Sequence, residues 1–598
     1  MKAIYFFLII ALVIASTVLQ TVAQEYTSTE GTEFFVAFPL NDSEDQQLQT
    51  LAIYVTSRVD NKVTIFNPRL NINDTRIIKA NETVEFSTVK GGFDISVEQK
   101  VTDTVINNGI KITSDFPVSV YCLNSKFASS EGYMALPIKS WGKEYIHNSF
   151  YDFAEIIGRD WGGGFVVLAK EDNTELHINI RDGANGVSGF GETTGGQQHG
   201  DIVTKTLNAG DIYVVQGSGK TRGIFDLSGS VIIADKPIGL ISYHNRAMIP
   251  STIVQTGRDH LIEMLPPTQA WGKEYFSVEL DRGADKGDYF RVIAGEDNVT
   301  FNITWYDKQT NQKIDEVGPI NLKKKGHWFA YNGEGATMPH DLESIRGVAH
   351  FKADKPILVC QYSYSSNYDG ATSFDPFMIV LSSVEQYTTS ALATTPLNYG
   401  NNEYRENFLR IIAKGDSNDV INNQMLLNSI KLNNTPLKDI STFNRIPNSD
   451  YYWIALSSVK AGSLNLESET PFSANIYGFA NFDSYGWPAS PNGKNLQDSG
   501  SISSVPFTSE SGTLDIKLLS SNPAKSDRLK LNISNDEASA VKIYVTNLEG
   551  KVVLDMMNEI VGNNQDLEFD ISELKSGIYF INANNGSSQS IIKLAVER

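Results

Sequence analysis

The sequence predicts an all-β protein, built from four related β-rich repeat units of about 115–125 residues and a C-terminal Ig-like β-sandwich. Three observations predict this fold class. A short phrase that ends in proline occurs four times, and two other phrases recur in step with it. The composition is rich in Gly, Asn, Ser, Thr, Tyr and Phe, and long stretches of helical periodicity are missing.

The proline phrase joins an acidic turn to a strand. In its clearest copies, Ala-Asp-Lys-Pro precedes an apolar run that ends in tyrosine. Proline holds φ at about −65° and donates no hydrogen bond, so it suits the start of a strand, and the apolar run predicts a mostly buried strand. The copies lie at residues 114–117, 234–237, 353–356 and 468–471, and their prolines are 120, 119 and 115 residues apart.

The other two phrases follow the same order in each unit. Trp-Gly-Lys-Glu-Tyr stands at residues 141–145 and again at 271–275. A partly matching sequence, Gly-Thr-Glu-Phe, opens the first unit at 31–34. A hairpin phrase comes next, because Asp-Asn between apolar runs tolerates left-handed backbone. Its copies are at 57–63, 165–174, 290–299 and 413–418.

These phrases predict how the chain is organised. We expect a signal peptide at 1–24, a repeat region at 25–490, a linker at 491–512 and a separate domain at 513–598. The expected units are 25–135, 136–263, 264–385 and 386–490. The repeat length also allows a closed, propeller-like ring of units.

Charge and the N-terminus limit the function classes. The chain has 70 Asp and Glu against 50 Lys and Arg, which disfavours binding to nucleic acid or anionic membrane because both need a basic patch. Lys2 precedes an apolar run from Ile4 to about Val18, with cleavage expected near Ala23, as in a secretory signal peptide. No later apolar window is long enough for a transmembrane helix.

Few residues point to catalysis or metal binding. Residues 216–221 (Gln-Gly-Ser-Gly-Lys-Thr) are similar to the end of a phosphate-binding loop but lack its first glycine, so a hairpin turn is predicted. Asp172 and Asp297 could ligate calcium, although turn geometry explains their recurrence better. Cys122 and Cys360 lie on opposite faces of equivalent strands, which favours buried free thiols over a disulfide.

The histidines show no zinc or nucleophile spacing. A loop site could form from His244 with Asp259 or His260, but solvated loop residues are the favoured interpretation for these. We therefore predict no catalytic residue, no metal site and no cofactor.

Aromatic residues form the remaining candidate surface. Tyr243, Tyr362 and Tyr477 each stand six residues after a repeat proline. Such recurrence more often reflects packing than a binding surface. The loop after the third copy is different, because Tyr with Ser, Asn and Gly is typical of adaptable binding loops. The binding residues predicted here are Tyr362, Tyr364, Tyr368 and Phe374.

The order and wording of the phrases resemble the IgGFc-binding protein N-terminal domain family. The resemblance covers about residues 31–490, and residues 477–480 (Tyr-Gly-Phe-Ala) and 484–488 (Ser-Tyr-Gly-Trp-Pro) look like the close of that family. It implies binding to the Fc part of antibodies, and no set of contact residues can be carried over.

Residues 513–598 resemble the type IX secretion system C-terminal sorting domain. Asn522-Pro523 opens the segment, and a Leu-x-x-Gly-x-Tyr order precedes a terminal strand. The residues of this sorting motif are Leu574, Gly577, Tyr579 and Lys593. The resemblance implies export by the type IX machinery in a bacterium of the Bacteroidota type, and a location outside the cell or on its surface. We expect the turn at Gly577 to need a backbone that a β-branched residue resists.

Two functions remain after this reading. The first is a non-enzymatic secreted or cell-surface adhesion protein that recognises an extracellular protein or glycan through its β-repeat loops. The alternative is a secreted hydrolase acting on polysaccharide or protein, which would usually show one unrepeated stretch with paired carboxylates or a triad. Because repeats fill the chain between signal and linker, the sequence favours binding.

Overall fold

A computed structural model of the protein describes residues 29–41, 50–126, 128–154, 160–181, 192–220, 225–250, 257–283, 286–331, 344–368, 370–371, 374–397, 404, 406–490, 493–496, 514–535, 539–547, 552–561, 565–584 and 589–598. Strands dominate these ranges, and helix α1 (Val420–Asn428) is the α-helix described there. The predicted all-β fold is confirmed. The predicted signal peptide lies outside the described residues.

The strands fall into four successive units. Unit 1 contains β1 (Gly31–Val36), β2 (Phe38–Pro39), β3 (Thr50–Ser57), β4 (Asn61–Asn67), β5 (Ile72–Ile78), β6 (Glu82–Ser87), β7 (Glu98–Gln99), β8 (Ile110–Lys126) and β9 (Ser129–Ala135). Unit 2 contains β10 (Gly142–Ile146), β11 (Phe153–Ala154), β12 (Asp160–Trp161), β13 (Gly163–Ala169), β14 (Thr174–Asn179), β15 (Ile202–Leu207), β16 (Ile212–Gln216), β17 (Val231–Ala247) and β18 (Asp259–Leu265).

The second half of the repeat region follows the same plan. Unit 3 contains β19 (Glu274–Val278), β20 (Tyr289–Ala294), β21 (Val299–Tyr306), β22 (Lys313–Leu322), β23 (Trp328–Ala330), β24 (Val348–Ala353), β25 (Ile357–Tyr362) and β26 (Met378–Val380). Unit 4 contains β27 (Thr388–Thr394), β28 (Glu406–Lys414), β29 (Lys431–Leu432), β30 (Thr435–Pro436), β31 (Asn444–Arg445), β32 (Tyr451–Leu456), β33 (Ser463–Ala480) and β34 (Asp483–Pro488), with α1 between β28 and β29.

Each unit is built around a long strand, and the repeat proline holds the same place in all four. The long strands are β8, β17 and β33. In unit 3 two shorter strands, β24 and β25, take the place of the long strand, and the strands of this unit form two sheets. The residue after each proline pairs with the last or nearly last residue of the first hairpin strand. These pairs are Val118 with Ser57, Ile238 with Ala169, Ile357 with Ala294 and Phe472 with Ala413. The prediction of four related units is confirmed.

The acidic residue and the lysine of the proline phrase attach it to the neighbouring hairpin. In unit 2 the Asp235 carboxylate accepts a hydrogen bond from the Glu175 amide at 2.8 Å, and Lys236 Nζ donates to the Asp172 carbonyl at 2.5 Å. The equivalent bonds in unit 3 join Asp354 to the Thr300 amide (2.8 Å) and Lys355 to the Asp297 carbonyl (2.6 Å). The phrase recurs because it clamps a hairpin tip.

The Trp-Gly-Lys-Glu-Tyr phrase also serves the fold. Trp141 Nε1 donates to the Leu136 carbonyl at 3.1 Å, and the Tyr145 hydroxyl donates to the carbonyl of Ile238, the residue after the proline, at 2.6 Å. The second copy repeats these bonds from Trp271 to Pro266 (3.1 Å) and from Tyr275 to Ile357 (2.5 Å). Each tyrosine therefore anchors the opening strand to the long strand.

The last strand of each unit, here called the closing strand, lies at the centre of a ring. These are β9, β18, β26 and β34, and all of their residues are buried. β9 packs against β18 and β34, and β26 packs against the same two strands. Unit 4 also contacts unit 1 directly, since Thr56 and Ser463 hydroxyls lie 2.9 Å apart. The four units therefore form a closed ring, which is the arrangement that the repeat length allowed as an alternative.

The C-terminal domain is a separate two-sheet sandwich. Its strands are β35 (Leu514–Leu518), β36 (Arg528–Asn535), β37 (Ser539–Thr546), β38 (Val552–Val561), β39 (Gln565–Asp570), β40 (Gly577–Asn584) and β41 (Gln589–Val596). They form sheets in the orders β35-β36-β39 and β38-β37-β40-β41. The boundaries proposed for the units, linker and sandwich stay predictions. No helix within the described ranges has the length and apolar character needed to cross a membrane.

The expectation about Gly577 is wrong. This glycine starts β40 opposite Val596, and its φ is not in the left-handed region. A Cβ atom placed there would approach the Tyr579 ring at 3.4 Å, which is ordinary van der Waals contact. Among the sorting-motif residues, Leu574 is buried, Tyr579 is half-buried and Lys593 is exposed. The motif therefore includes both a core residue and a surface residue of the domain.

Candidate functional site

One end of the ring gathers four chain connections, and we call this end the axial face. Here each long strand leads to its closing strand. In unit 4 the connection is the two-residue turn 481–482, and the structure describes the corresponding connection of unit 1 only at Ala128. The connections of units 2 and 3 contain more residues, of which the structure describes 248–250 and 257–258 in unit 2 and 363–368, 370–371 and 374–377 in unit 3. The loop predicted to bind a ligand is therefore part of this face.

Beneath the axial face, three units contribute an aspartate from the same structural position. In each unit, the sixth residue after the proline pairs with a residue of the closing strand. The residue three places before that partner lies at the same level of the ring in all four units. The partners are Gly132, Ile262, Met378 and Gly486. The residues three places earlier are Ser129, Asp259, Asp375 and Asp483, and all four are buried. We call Asp259, Asp375 and Asp483 the axial aspartates.

Hydrogen bonds bring the four units together at this level. Ser129 Oγ accepts from the His260 amide at 3.2 Å. Ser484 Oγ contacts the Asp259 carboxylate at 3.3 Å and the Asp375 carbonyl at 2.9 Å. Burial raises the pKa of Asp259 well above its ordinary value, and the nearby charges of Asp375 and Asp483 raise it further. The same burial raises the pKa of Asp483.

Arginines lie on one side of this cluster. Burial raises the pKa of Asp375 to about 7, even though Arg282, Arg246 and Arg258 favour its charged form. Within the described ranges, no group of three histidine, cysteine or carboxylate side chains is arranged to hold a metal ion. The axial aspartates and their serine partners form a polar junction between units.

A second pair of carboxyl groups lies one level deeper. The Glu131 carboxylate accepts from the amides of Met378 and Gly486, both at 3.1 Å, and so joins unit 1 to units 3 and 4. Glu263 accepts from the Val380 amide at 3.3 Å and joins units 2 and 3. Burial raises the pKa of both glutamates well above the ordinary value.

The predicted binding aromatics differ in accessibility. Tyr362 and Tyr364 are fully buried, because Tyr362 ends strand β25 and its hydroxyl donates to the Ser149 carbonyl at 2.7 Å. A ligand cannot contact them in this conformation. Tyr368 is half-buried, with Lys286 Nζ 4.2 Å from its ring centre.

Phe374 is half-buried and stacks on the Phe479 ring of unit 4, with ring centres 4.1 Å apart. Like Tyr368, it keeps some surface available. The binding role of this loop stays a prediction, and its accessible part is Tyr368 with Phe374.

Sequence reasoning missed Phe482, the most unusual residue of the axial face. It lies in the two-residue turn between β33 and β34, its φ is 61°, and its exposed fraction is 43%. A bulky residue in the left-handed region is strained, and such strain clusters at functional sites. The available signal was a phenylalanine in a tight turn, next to Asn481, where Asn or Gly is usual.

The histidine interpretation needs correction for the second unit. His244 and His260 are fully buried instead of solvated, since His244 lies in the long strand β17 and His260 in the closing strand β18. His244 Nε2 donates to the Tyr151 carbonyl at 2.8 Å, and His260 Nδ1 donates to the His244 carbonyl at 2.9 Å. Burial lowers the pKa of His244 to about 4 and that of His260 to about 3, so both are neutral near pH 7.

The other sequence candidates have structural roles. Asp172 and Asp297 accept the amides of Ala209 and Lys325, at 3.0 and 2.8 Å, which agrees with turn geometry. The Gly217 amide donates to the Gly163 carbonyl at 2.8 Å and is not available to a phosphate. Both cysteines, Cys122 and Cys360, are buried free thiols.

A buried ion pair between units 2 and 3 was also missed. Arg291 Nη1 lies 2.6 Å from Asp226 Oδ2, and both side chains have an exposed fraction of 0%. The guanidinium carbon is 4.2 Å from the Trp328 ring centre, 4.8 Å from that of Phe150 and 5.0 Å from that of Tyr151. Asp226 belongs to no recurring phrase, whereas Arg291 is a charged residue within the apolar run of the unit 3 hairpin phrase, and that charge was the available signal.

Comparisons with solved structures give only very weak similarity. A BSP domain of a biofilm-associated protein has a TM-score of 0.11 and 8% identity, over 77% of this chain and 96% of that chain. An ectodomain of the C. elegans fusion protein EFF-1 has a TM-score of 0.12 and 9% identity, over 96% and 98% of the two chains. TM-scores this low do not indicate a shared fold.

Comparisons of sequence are more informative. Residues 522–597 match the secretion system C-terminal sorting domain, which implies export to the cell surface or the extracellular space. The human IgGFc-binding protein is 24% identical over 229 residues, which are 38% of this chain and 4% of the length of that protein. Residues 131–478, more than half of the chain, match the family described as IgGFc binding protein. The chain belongs to the IgGFc binding protein family.

Proposed function

We propose that this protein is a non-enzymatic adhesion or binding protein that recognises an extracellular protein or glycan through the axial face. Family membership supports binding, and the sorting domain accounts for export. The observation that carries the location of the site is Phe482, an exposed aromatic residue with a left-handed backbone in the turn between β33 and β34. Aromatic anchors dominate the energy of many binding interfaces.

The longer loop of unit 3 supplies the second part of the proposed site. Tyr368 presents a half-buried ring, and Lys286 holds the loop by donating to the Tyr368 carbonyl at 3.0 Å. A rigid aromatic side chain with a fixed backbone loses little conformational entropy on binding. Arg282 adds a bond to the Phe374 carbonyl at 3.2 Å, so the loop is anchored at both ends.

Antibody Fc is the first ligand to test, because the human relative is named for binding it. The matched stretch is only 4% of that protein, so Fc binding by this chain is part of the proposal. A glycan or a matrix protein would use the same face. Secreted hydrolysis is the competing function, and the buried, neutral pair His244 and His260 gives it no support.

We propose further that the type IX machinery recognises the C-terminal domain through Leu574, Gly577, Tyr579 and Lys593. Deleting residues 513–598 should leave the ring folded and able to bind ligand, while the protein accumulates inside the cell envelope. Normal surface or medium levels of the truncated protein would contradict this assignment.

The function is tested by screening the purified chain against human IgG Fc, a glycan array and matrix proteins, beside a panel of hydrolase substrates. We expect saturable binding to at least one immobilised ligand without turnover. Turnover of a polysaccharide or protein substrate without saturable binding would establish the hydrolase alternative.

A further inference from the structure

The axial aspartates lie where all four units meet, and most of their neighbours carry no compensating charge. Arg246, Arg258 and Arg282 act on Asp375. Asp259 and Asp483 instead contact serine hydroxyls and backbone amides from β9 and β34. Among the described residues, no lysine or arginine forms an ion pair with Asp259 or Asp483, so burial favours their uncharged forms, because a buried charge costs several kcal/mol or more.

Other groups around the cluster add negative charge or remain neutral. Glu131, one level deeper, carries a carboxyl group that interacts with Asp259 and with the carboxyl group of Glu263. His260, next in sequence, is neutral near pH 7, and the buried Tyr404 hydroxyl faces Asp483 and Asp259. Ionisation of several of these carboxyl groups would place like charges together in a buried junction.

The nearby lysine is already paired with another carboxylate. Lys126, at the end of β8, lowers the pKa of His260 by its charge, so it lies near the cluster. Its Nζ is 3.1 Å from Glu98 Oε1, and both side chains have an exposed fraction of 0%. Its charge is therefore compensated within unit 1.

We propose that Asp259 and Asp483 form a proton-dependent latch that holds the four closing strands together. With protons bound, the two side chains behave as neutral hydrogen-bonding groups and the ring is closed. When they ionise, repulsion and the need for water loosen β9, β18, β26 and β34 and rearrange the connections at the axial face. The latch thus couples the shape of the proposed binding face to pH.

The direction of the effect follows from burial. Burial raises the pKa of Asp259 and Asp483 in the folded chain above the ordinary value near 4. The stability that comes from keeping these protons is fully present below about pH 4 and is lost as pH rises through the folded values. For each proton released on opening, the opening constant increases about tenfold per pH unit.

Amide hydrogen exchange of the purified full-length chain tests the latch. The informative amides are those of the four closing strands, especially Met378 and Gly486, which donate to Glu131. Exchange is followed from about pH 5 to about pH 8 and corrected for the intrinsic rate. We expect the opening constant of the closing strands to rise at least tenfold per pH unit, while strands of the C-terminal domain change little.

Variants locate the titrating groups. In Asp259→Asn and Asp483→Asn, an uncharged amide replaces the carboxyl group, so the rise with pH should become flatter. Glu85→Gln is the matched control, because burial raises the pKa of Glu85 to about 7 but this residue faces Arg76 and Lys90 in unit 1. A wild-type opening constant that is equal across the pH range would overturn the proposal, even if a variant failed to fold. A slope that survives in both aspartate variants and disappears in Glu85→Gln would overturn it too.

Discussion

Replacing Arg291 with Met should weaken the junction between units 2 and 3. The Arg291–Asp226 pair has a 2.6 Å contact and no solvent exposure on either side, so removal of the guanidinium leaves an uncompensated buried carboxylate. The arginine also donates to the Ser149 carbonyl at 3.1 Å and to the Ser228 hydroxyl at 3.0 Å. Breaking a buried ion pair from one side costs about 3–5 kcal/mol, which we expect as the loss in free energy of unfolding.

The double variant separates lost charge pairing from lost packing. Met fills much of the volume of Arg and packs well against the rings of Phe150, Tyr151 and Trp328. In Arg291→Met with Asp226→Asn, no buried charge remains. The amide oxygen introduced by Asp226→Asn can still accept the Ser228 amide, which lies 2.9 Å from the carboxylate in the native chain. The double variant should therefore recover at least about 1 kcal/mol relative to Arg291→Met alone.

Urea unfolding followed by intrinsic tryptophan fluorescence measures these differences, since Trp328 is buried in the same cage. Exchange of the β20 amides gives a local measurement on the strand that carries Arg291. A loss below about 1 kcal/mol in the single variant, or a double variant no more stable than the single one, would refute the argument from buried charge.

Four further substitutions each test a single position. Gly132→Ala should destabilise the ring by about 1–3 kcal/mol, because the new Cβ would lie 2.3 Å from the Cys122 carbonyl oxygen and 2.7 Å from the Trp487 ring. Gly577→Ala should change the unfolding free energy of the C-terminal domain by less than about 0.5 kcal/mol. Urea unfolding measures both glycine variants, and equal losses of unfolding free energy would contradict the packing argument. Phe482→Asn should leave stability unchanged or raise it by about 1 kcal/mol, since Asn accepts a left-handed backbone, and a clear fall in melting temperature would show that the ring packs inward. Asp288→Asn should lose less free energy of unfolding than the wild type as pH rises from about 5 to about 9. Burial raises the pKa of Asp288 to about 8, so the wild type loses the stability from this bound proton as pH rises through that value. Parallel stability curves for the two proteins would refute this.

Local sequence signals predicted the strands and their repetition. The acidic residue, proline and apolar run act within a few residues, so they specify a turn and a buried strand wherever they occur. The pairing of Val118, Ile238, Ile357 and Phe472 with equivalent hairpin residues shows that the same local chemistry produces the same register.

The candidate site could not be predicted in the same way, because loop length hides equivalence. Asp259, Asp375 and Asp483 lie 22, 19 and 12 residues after their prolines, so no fixed spacing connects them. Only the pairing of each closing strand with its long strand reveals that they share one level.

The unit 3 aromatics illustrate the opposite error. Tyr362 and Tyr364 stand beside loop residues in the sequence, yet strand β25 extends to Tyr362 and the core covers both rings. Tertiary packing decided which members of one aromatic run became accessible. Phe482 escaped notice because its importance lies in its backbone conformation, which the residue type alone does not report.

Binding through the axial face is the central claim, and one titration tests it most directly. The ligand found by the screen is titrated, by surface plasmon resonance, against the wild type, a Tyr368→Ala, Phe482→Asn variant and a Phe116→Asn control. Phe116 is 54% exposed but lies at the hairpin end of unit 1, outside the axial face. We predict that the axial variant raises Kd at least about thirtyfold, which corresponds to about 2 kcal/mol, and that the control leaves Kd unchanged. Equal Kd values for the wild type and the axial variant, with a weaker control, would contradict the account.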